Sequence, residues 1–184
     1  MRKHSLLYQL RPSASCEELT EAIYGQAEGV FAMVTHMVAD PRDAEELTQD
    51  SLLDALHYVR RFDESQGTVA AWVRRIAYNN AVSFLRKRRI KTVSIEDCSE
   101  WEEAAADGEP PDSDTQLADS EERILRLEEL LKALPPQERM LINLRYLEGR
   151  PLEEIAFIVN SNAKAVASHL NRIRNKLRKK MRKV

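Results

Sequence analysis

The chain has 184 residues, 43% of them apolar, with five glycines and seven prolines; this length supports one modest core or two small ones, and the composition favours helices. The apolar stretches are short and interrupted by charge, which argues against a membrane-spanning helix, and Cys16 and Cys98 stand too far apart, in unlike contexts, for a disulfide framework or a metal site. A formal net charge of −2 conceals segregation: 13 basic and 12 acidic residues over 1–91, 12 acidic and no basic over 92–122, and 15 basic against 6 acidic over 123–184.

The N-terminal residues begin basic but offer neither a sustained apolar run nor a small-residue cleavage site, so no signal peptide and a cytoplasmic location are expected. Ser15-Cys16-Glu17-Glu18 fits a capping box and opens a helix predicted to run to about Ala39, with Leu19, Ile23, Val30, Val34 and Val38 inward. Asp40-Pro41 is a second start signal, for a helix to about Phe62 whose apolar face is Leu47, Leu52, Leu56 and Val59. Its outer side is acidic: Asp43, Glu46 and Asp50 lie near one face, with Gln49 and Leu53 beside them. Such a face repels nucleic acid and suits a basic protein surface.

Asp63 to Gly67 breaks the pattern, and Thr68 caps a third helix that ends among Arg86-Lys87-Arg88-Arg89. This basic helix carries Trp72, Tyr78 and Phe84 and the adjacent Asn79 and Asn80. Aromatics and amides on a basic helix suit unstacked bases, although Trp72 and Phe84 fit a core position equally well. From Thr92 to about Ala118 periodicity vanishes among carboxylates, Gly108, Pro110 and Pro111, the composition of a mobile acidic linker.

Helical spacing returns with Ile124, Leu127, Leu130, Leu131 and Leu134. Pro135-Pro136 separates that helix from the next, Gln137 to Glu148, which Gly149 closes. Pro151 opens a short helix to Val159. Asn160-Ser161-Asn162 is a three-residue turn into a last, strongly basic helix. Residues 160–184 hold nine Lys or Arg and no Asp or Glu. Two helices joined by such a turn form a helix-turn-helix. The second places Ala163, Val166, Leu170, Ile173 and Leu177 inward, and Lys164, Ser168, His169, Arg172 and Lys176 on other faces. The basic residues suit phosphates, and the N-terminal part suits the major groove. A membrane-surface helix would want larger apolar residues on its buried face. No strand pattern appears, so the fold class expected is all-α.

No catalytic pattern accompanies the four histidines His4, His36, His57 and His169, and no Gly-rich phosphate loop occurs. Asp54 and His57 are spaced like half of a di-iron helix pair, but the other half is missing. Neither an enzyme, a metal nor a cofactor is expected.

Three stretches, "DAEELTQDSLLDAL", "FDESQGTVAAWVRRIAYNNAVSFLRKRR" and "LPPQERMLINLRYLEGRPLEEIAFIVNSNAKAVASHLNRIRNKL", resemble in order the two domains of extracytoplasmic-function (ECF) sigma factors, the small bacterial subunits that give RNA polymerase promoter specificity. The resemblance implies an N-terminal segment (1–15), sigma domain two (16–91), an acidic linker (92–119) and sigma domain four (120–184). It implies that Asp43, Glu46, Gln49, Asp50 and Leu53 dock on the β′ clamp helices of core polymerase. Phe62, Asp63 and Ser65 of the loop, with Trp72, Arg75, Asn79, Asn80, Ser83 and Arg86 of the helix, would recognise and open the minus-ten element and hold a flipped base. Asn162, Lys164, Ala165, Ala167, Ser168, His169, Arg172 and Lys176 would meet the minus-thirty-five element while the same domain touches the β flap. The linker would thread the polymerase cleft, imitate nucleic acid there and be displaced by growing RNA. An anti-sigma factor is an expected further partner.

Two departures stand out. The family usually has Asp where this chain has Ser83, and a recognition sequence close to Thr-Val-Lys-Ser-Arg where this chain has Ala165-Val166-Ala167-Ser168-His169. Two competing readings remain: a sigma mimic that takes up an anti-sigma factor without binding promoters, and an ordinary helix-turn-helix regulator. The second leaves the acidic helix and the acidic linker unexplained.

Overall fold

The computed structural model describes residues 15–91 and 120–182. All regular structure in them is helical: α1 (Cys16–Tyr24), α2 (Ala27–Thr35), α3 (Pro41–His57), α4 (Val69–Lys91), α5 (Ser120–Lys132), α6 (Pro136–Ile142), α7 (Leu152–Ile158) and α8 (Ala163–Met181). The expected acidic linker and the N-terminal residues 1–14 lie outside the described residues.

Local chemistry sets most helix starts. Ser15 Oγ accepts from Glu18 N while Glu18 Oε2 accepts from Ser15 N, a complete capping box. Asp40 caps α3 through Arg42 N, with Pro41 in the first turn. Thr68 Oγ1 accepts from Ala71 N at the head of α4, and Asn162 Oδ1 from Ala165 N at the head of α8.

Three expectations need correction. The first helix is two: a turn at Gly25-Gln26 separates α1 from α2, with Gly25 N bonded to Glu21 O and Gln26 N to Ile23 O. The apolar periodicity passes through this turn, so Ile23 and Val30 are both buried and the pattern alone concealed it. The helix expected to reach Phe62 ends at His57; a short 3-10 turn, Val59–Arg61, follows. The helix expected over Gln137–Glu148 changes from α to π at Asn143–Leu147, where Glu148 N bonds back to Asn143 O. On α5, Ile124 and Leu127 are exposed; burial sets in at Leu130 and Leu131 and is nearly complete at Leu134, just past the helix.

α2, α3 and α4 pack together around Val30, Met33, Val34, Ala44, Leu47, Val73, Ala77 and Ala81. α8 packs on α5, α6 and α7 through Val166, Leu170, Ile173 and Leu177. Each Val, Leu, Ile or Met among these that is removed from water stabilises the fold by about 1.5–3 kcal/mol. α4 also packs against α7, so the buried side chains of both halves form one cluster. Tyr78 is 5% exposed, and burial pushes its hydroxyl up to about 12, which places it in the core and not on a base-binding face.

Candidate nucleic-acid interface

The acidic face of α3 follows from its register. Leu47, Ser51, Leu52 and Ala55 turn inward, which leaves Glu46, Gln49, Asp50 and Leu53 outward, Leu53 being 61% exposed. Asp43, half-buried, accepts from Arg88 Nη1 at 2.7 Å, so one carboxylate of this face is already held by the end of α4. Asn80 turns away from solvent chemistry and toward α3: its Nδ2 donates to Asp54 Oδ2 at 2.9 Å and to Ser51 Oγ at 3.3 Å. Asp54 therefore serves the α3–α4 packing.

The loop before α4 and the outer face of α4 build a recess of about 220 Å³. Asp63 organises the loop. Its carboxylate accepts from Ser65 N at 2.9 Å, Ser65 Oγ at 2.7 Å and Gln66 Nε2 at 3.1 Å. These bonds, the Ser65 hydroxyl first, hold the Asp63 carboxyl below its ordinary range. Phe62 and Trp72 stack at a tilt, centroids 5.4 Å apart. Arg61, Asp63, Gln66, Arg75, Ile76 and Asn79 complete the wall with them, and Phe157 of α7 closes it. The recess thus brings together Phe62, Asp63, Trp72, Arg75 and Asn79 of the expected set. Ser65 serves the loop, Asn80 faces α3, and half-buried Ser83 and exposed Arg86 lie outside the recess on the later turns of α4.

Where α4 meets the second half of the chain, the contact is polar at its centre. Arg74 is 4% exposed. Its Nη2 lies 3.6 Å from Glu148 Oε2, and its Nη1 donates to Gln26 Oε1 at 3.4 Å and to Ala70 O at 3.3 Å. Gly29 of α2 leaves the room: a Cβ there would overlap the guanidinium. Glu148 also accepts from Arg150 Nε at 3.1 Å and from Asn143 Nδ2 at 3.1 Å, and Arg150 reaches Glu154 at 2.9 Å. Burial first, and then the neighbouring Arg150, lowers the Arg74 pKa from its ordinary value; Glu148 and Glu154 oppose that. His36, at the end of α2, borders the same cluster. Burial and Arg139 lower its pKa, against Glu148 and a hydrogen bond with Asn143.

Around this cluster, Arg75 lies over the Phe157 ring, 4.8 Å from its centroid, and donates to Asn160 Oδ1 at 2.6 Å. Phe157 also rests against Gly67, where a Cβ would sit 3.7 Å from the ring. The sequence singled out neither Arg61, Gln66, Arg74 and Ile76 nor Glu148 and Phe157 for the site. Their roles arise from contacts between distant segments, and only Gly29, small opposite a large cation, hints at the packing.

The helix-turn-helix forms as its spacing implies. Asn160 takes the left-handed conformation (φ 55°), and Ser161 N bonds to Ala156 O at 2.8 Å. On α8, Lys164 and Arg172 are exposed, whereas Ala165, Ala167, Ser168 and His169 are half-buried. Burial, then Arg172, lowers the His169 pKa. Lys176 pairs with Glu138 of α6 at 3.1 Å, which ties it to its own bundle. Arg174, Arg178, Lys179 and Lys180 carry the positive face on toward the end of the helix.

This arrangement has relatives. The Sigma-70 region 2 family matches residues 27–90, and the Sigma-70, region 4 family matches residues 124–177. Similar proteins include the ECF RNA polymerase sigma factor SigK of Mycolicibacterium vanbaalenii, 27% identical over 83% of this chain and 76% of that protein. The ECF RNA polymerase sigma factor SigE of Mycolicibacterium smegmatis is 26% identical over 86% of this chain, which spans 59% of that longer protein. Among solved structures, the sigma factor RpoE in complex with the anti-sigma factor NepR from Bartonella quintana shares the fold at a TM-score of 0.62 and 22% identity, over 89% of this chain and 96% of that one. CnrH in complex with the cytosolic domain of CnrY does so at 0.58 and 19%, over 91% and 90%. With regions 2 and 4 in order on one helical chain, the protein belongs to the RNA polymerase sigma factors of the ECF type.

Proposed function

We propose that this chain binds bacterial core RNA polymerase and directs it to promoters that carry both a minus-ten and a minus-thirty-five element. The observation that carries the reading is the recess of Phe62, Asp63, Trp72, Arg75 and Asn79. It offers aromatic surface, an amide and a cation at one opening, the chemistry a splayed-out base requires. The outward Glu46, Gln49, Asp50 and Leu53, beside Asp43, are the surface for the β′ clamp helices. The exposed α8 residues, Lys164 and Arg172 foremost, meet the phosphates and edges of duplex DNA, with a polymerase β flap contact on the same half. Region 92–119, with its carboxylates, is proposed to run through the polymerase cleft, and residues 16–91 and 120–184 to act as the two promoter-reading domains.

The test is transcription in vitro with purified core polymerase and a genomic fragment library, with and without this protein, read by sequencing RNA 5′ ends. New start sites that share two upstream motifs support the reading. Stable binding to core without new starts favours the second reading, a mimic that takes up an anti-sigma factor. The small Ala165 and Ala167 on the recognition helix favour that alternative. Duplex affinity adds a graded check: Lys164→Ala and Arg172→Ala should each flatten the dependence of log affinity on log salt by about 0.9 per lost phosphate contact.

A further inference from the structure

We propose that Arg61 is the phosphate clamp of the recess: it binds the backbone phosphate of the nucleotide whose base lies against Phe62 and Trp72. The inference deepens the promoter-binding reading and rests on it, and Arg61 stands outside the set of contacts expected from the sequence. The 3-10 turn Val59–Arg61 sets its position. Arg61 N bonds to Tyr58 O at 2.8 Å and Phe62 N to Val59 O at 3.1 Å. In such a turn residues three apart eclipse, so the Arg61 guanidinium comes to lie over the Tyr58 ring, 4.8 Å from its centroid. His57 meets the same ring edge-on, with centroids 4.8 Å apart. One residue on, Phe62 turns its ring to Trp72. The cation and the stacking surface therefore share one rim. The lining residues include two cations, Arg61 and Arg75. Arg75 is engaged from the second half of the chain, by Asn160 Oδ1 at 2.6 Å and by the Phe157 ring. Arg61 is exposed and has no carboxylate within ion-pair distance among the described residues. Asp63, the nearest acid in sequence, spends its carboxylate on Ser65 and Gln66. A ring face attracts the cation but leaves the N–H donors at the edge of the guanidinium to water or an anion. A base seated in the recess carries its own phosphate to the rim, and a planar fork of donors suits a pair of phosphate oxygens.

The experiment uses the full chain carrying Trp101→Phe, so that Trp72 is the sole tryptophan and reports base stacking. Its fluorescence is followed as short oligo(dT), oligo(dA) and oligo(dC) strands bind over a range of salt. Arg61→Gln should weaken all three about fivefold and flatten the dependence of log affinity on log salt by about 0.7, the share of a single-strand phosphate contact. The quench at saturation should stay as in the parent, because the base still reaches Trp72. Arg61→Lys should keep the slope and recover only part of the affinity, since an ammonium lacks the fork. Tyr58→Leu should keep the slope and weaken binding about twofold, through loss of the ring that braces the cation. Arg60→Gln, next in sequence but outside the recess, should leave the slope in place. Circular dichroism establishes that each variant is folded. A parent slope in folded Arg61→Gln overturns the proposal, as does an equal change in Arg60→Gln. A loss confined to one base overturns it too, since Arg61 would then read a base edge, and so does the absence of any Trp72 quench. Failure of the promoter reading looks different: the Arg61 effect is intact on single strands, yet core polymerase gives no new transcription starts.

Discussion

α4 and α8 are both long, basic helices, yet they are built in opposite ways. α8 is clothed on one side. Val166, Leu170, Ile173 and Leu177 form its buried stripe, and most of the cations point outward. α4 is packed by α1, α2, α3 and α7. Along it Ala71, Val73, Arg74, Ala77, Tyr78 and Ala81 are all buried, and a cation counts among them. The difference teaches that a basic helix advertises a nucleic-acid surface only when its apolar residues keep to one stripe. On α4 the same composition divides between core, seam and recess.

Insertion of a charge should separate the two most strongly. Ala77→Glu on α4 places a carboxylate where exposure is 0% and should cost about 4 kcal/mol, enough to unfold much of the protein in a urea titration. Asn175→Glu on the open face of α8 should stay within about 0.5 kcal/mol. A tolerated Ala77→Glu would mean that α4 is not enclosed as described.

The buried arginine sharpens the contrast. Glu148→Ala strands the Arg74 charge and should cost about 2 kcal/mol, less than a fully buried pair because Glu148 keeps 20% exposure. The double variant Arg74→Met with Glu148→Leu should recover to within about 1 kcal/mol of the parent. Arg178→Ala on α8, an exposed cation, should leave the urea midpoint in place. A double variant no better than Glu148→Ala would show that Arg74 stabilises through its bonds to Gln26 and Ala70 instead.

A histidine sits beside each helix's packing: His36 at the seam that α4 shares and His169 on α8 itself, both with pKa lowered from 6.5. A folded state that resists protonation gains nothing from these groups below the lowered values. Their contribution is complete above the unfolded value near 6.5 and is lost as pH falls from there through the folded values. Thermal midpoints should therefore be flat just above pH 7 and decline below about 6.5. His36→Gln should remove part of that decline and leave the part due to His169. An unchanged decline would place the pH response in His169 and the carboxylates alone.

Legibility followed the range of the interactions. Helix starts were readable at Ser15, Asp40 and Thr68, because a cap bonds to the backbone two or three residues on. The α8 stripe was readable because its spacing is local too, as was the turn at 160–162, though not that Asn160 is its left-handed residue. The turn at Gly25-Gln26 was not, since apolar spacing continues across it. The π segment at Asn143–Leu147 was hidden because its bonds change while its residue pattern does not. Of the recess, Trp72 and Asn79 were marked by residue type, and Phe62, Asp63 and Arg75, close to them in sequence, by the family resemblance; Phe157 comes from the other end of the chain, and nothing near it in sequence marks it. Arg74 and Arg75 are adjacent and identical in type. Only three-dimensional packing makes one a buried charge and the other a contact to Phe157 and Asn160.

The smallest effect belongs to the caps, where the two helices should agree in stability and differ in function. Thr68→Ala and Asn162→Ala each delete a side-chain acceptor from an exposed helix start, at a cost of about 1 kcal/mol. Serine is a good cap at both positions, so Thr68→Ser and Asn162→Ser should restore the urea midpoint. Duplex affinity then sorts the role of Asn162. If Asn162→Ser recovers both stability and duplex binding, the residue acts by fixing the first turn of α8, and the DNA contacts belong to Lys164 and Arg172. If stability returns but affinity does not, the amide itself touches DNA. Thr68→Ser should leave duplex affinity unchanged in either case, because Thr68 heads α4, which borders the recess, and has no part in α8.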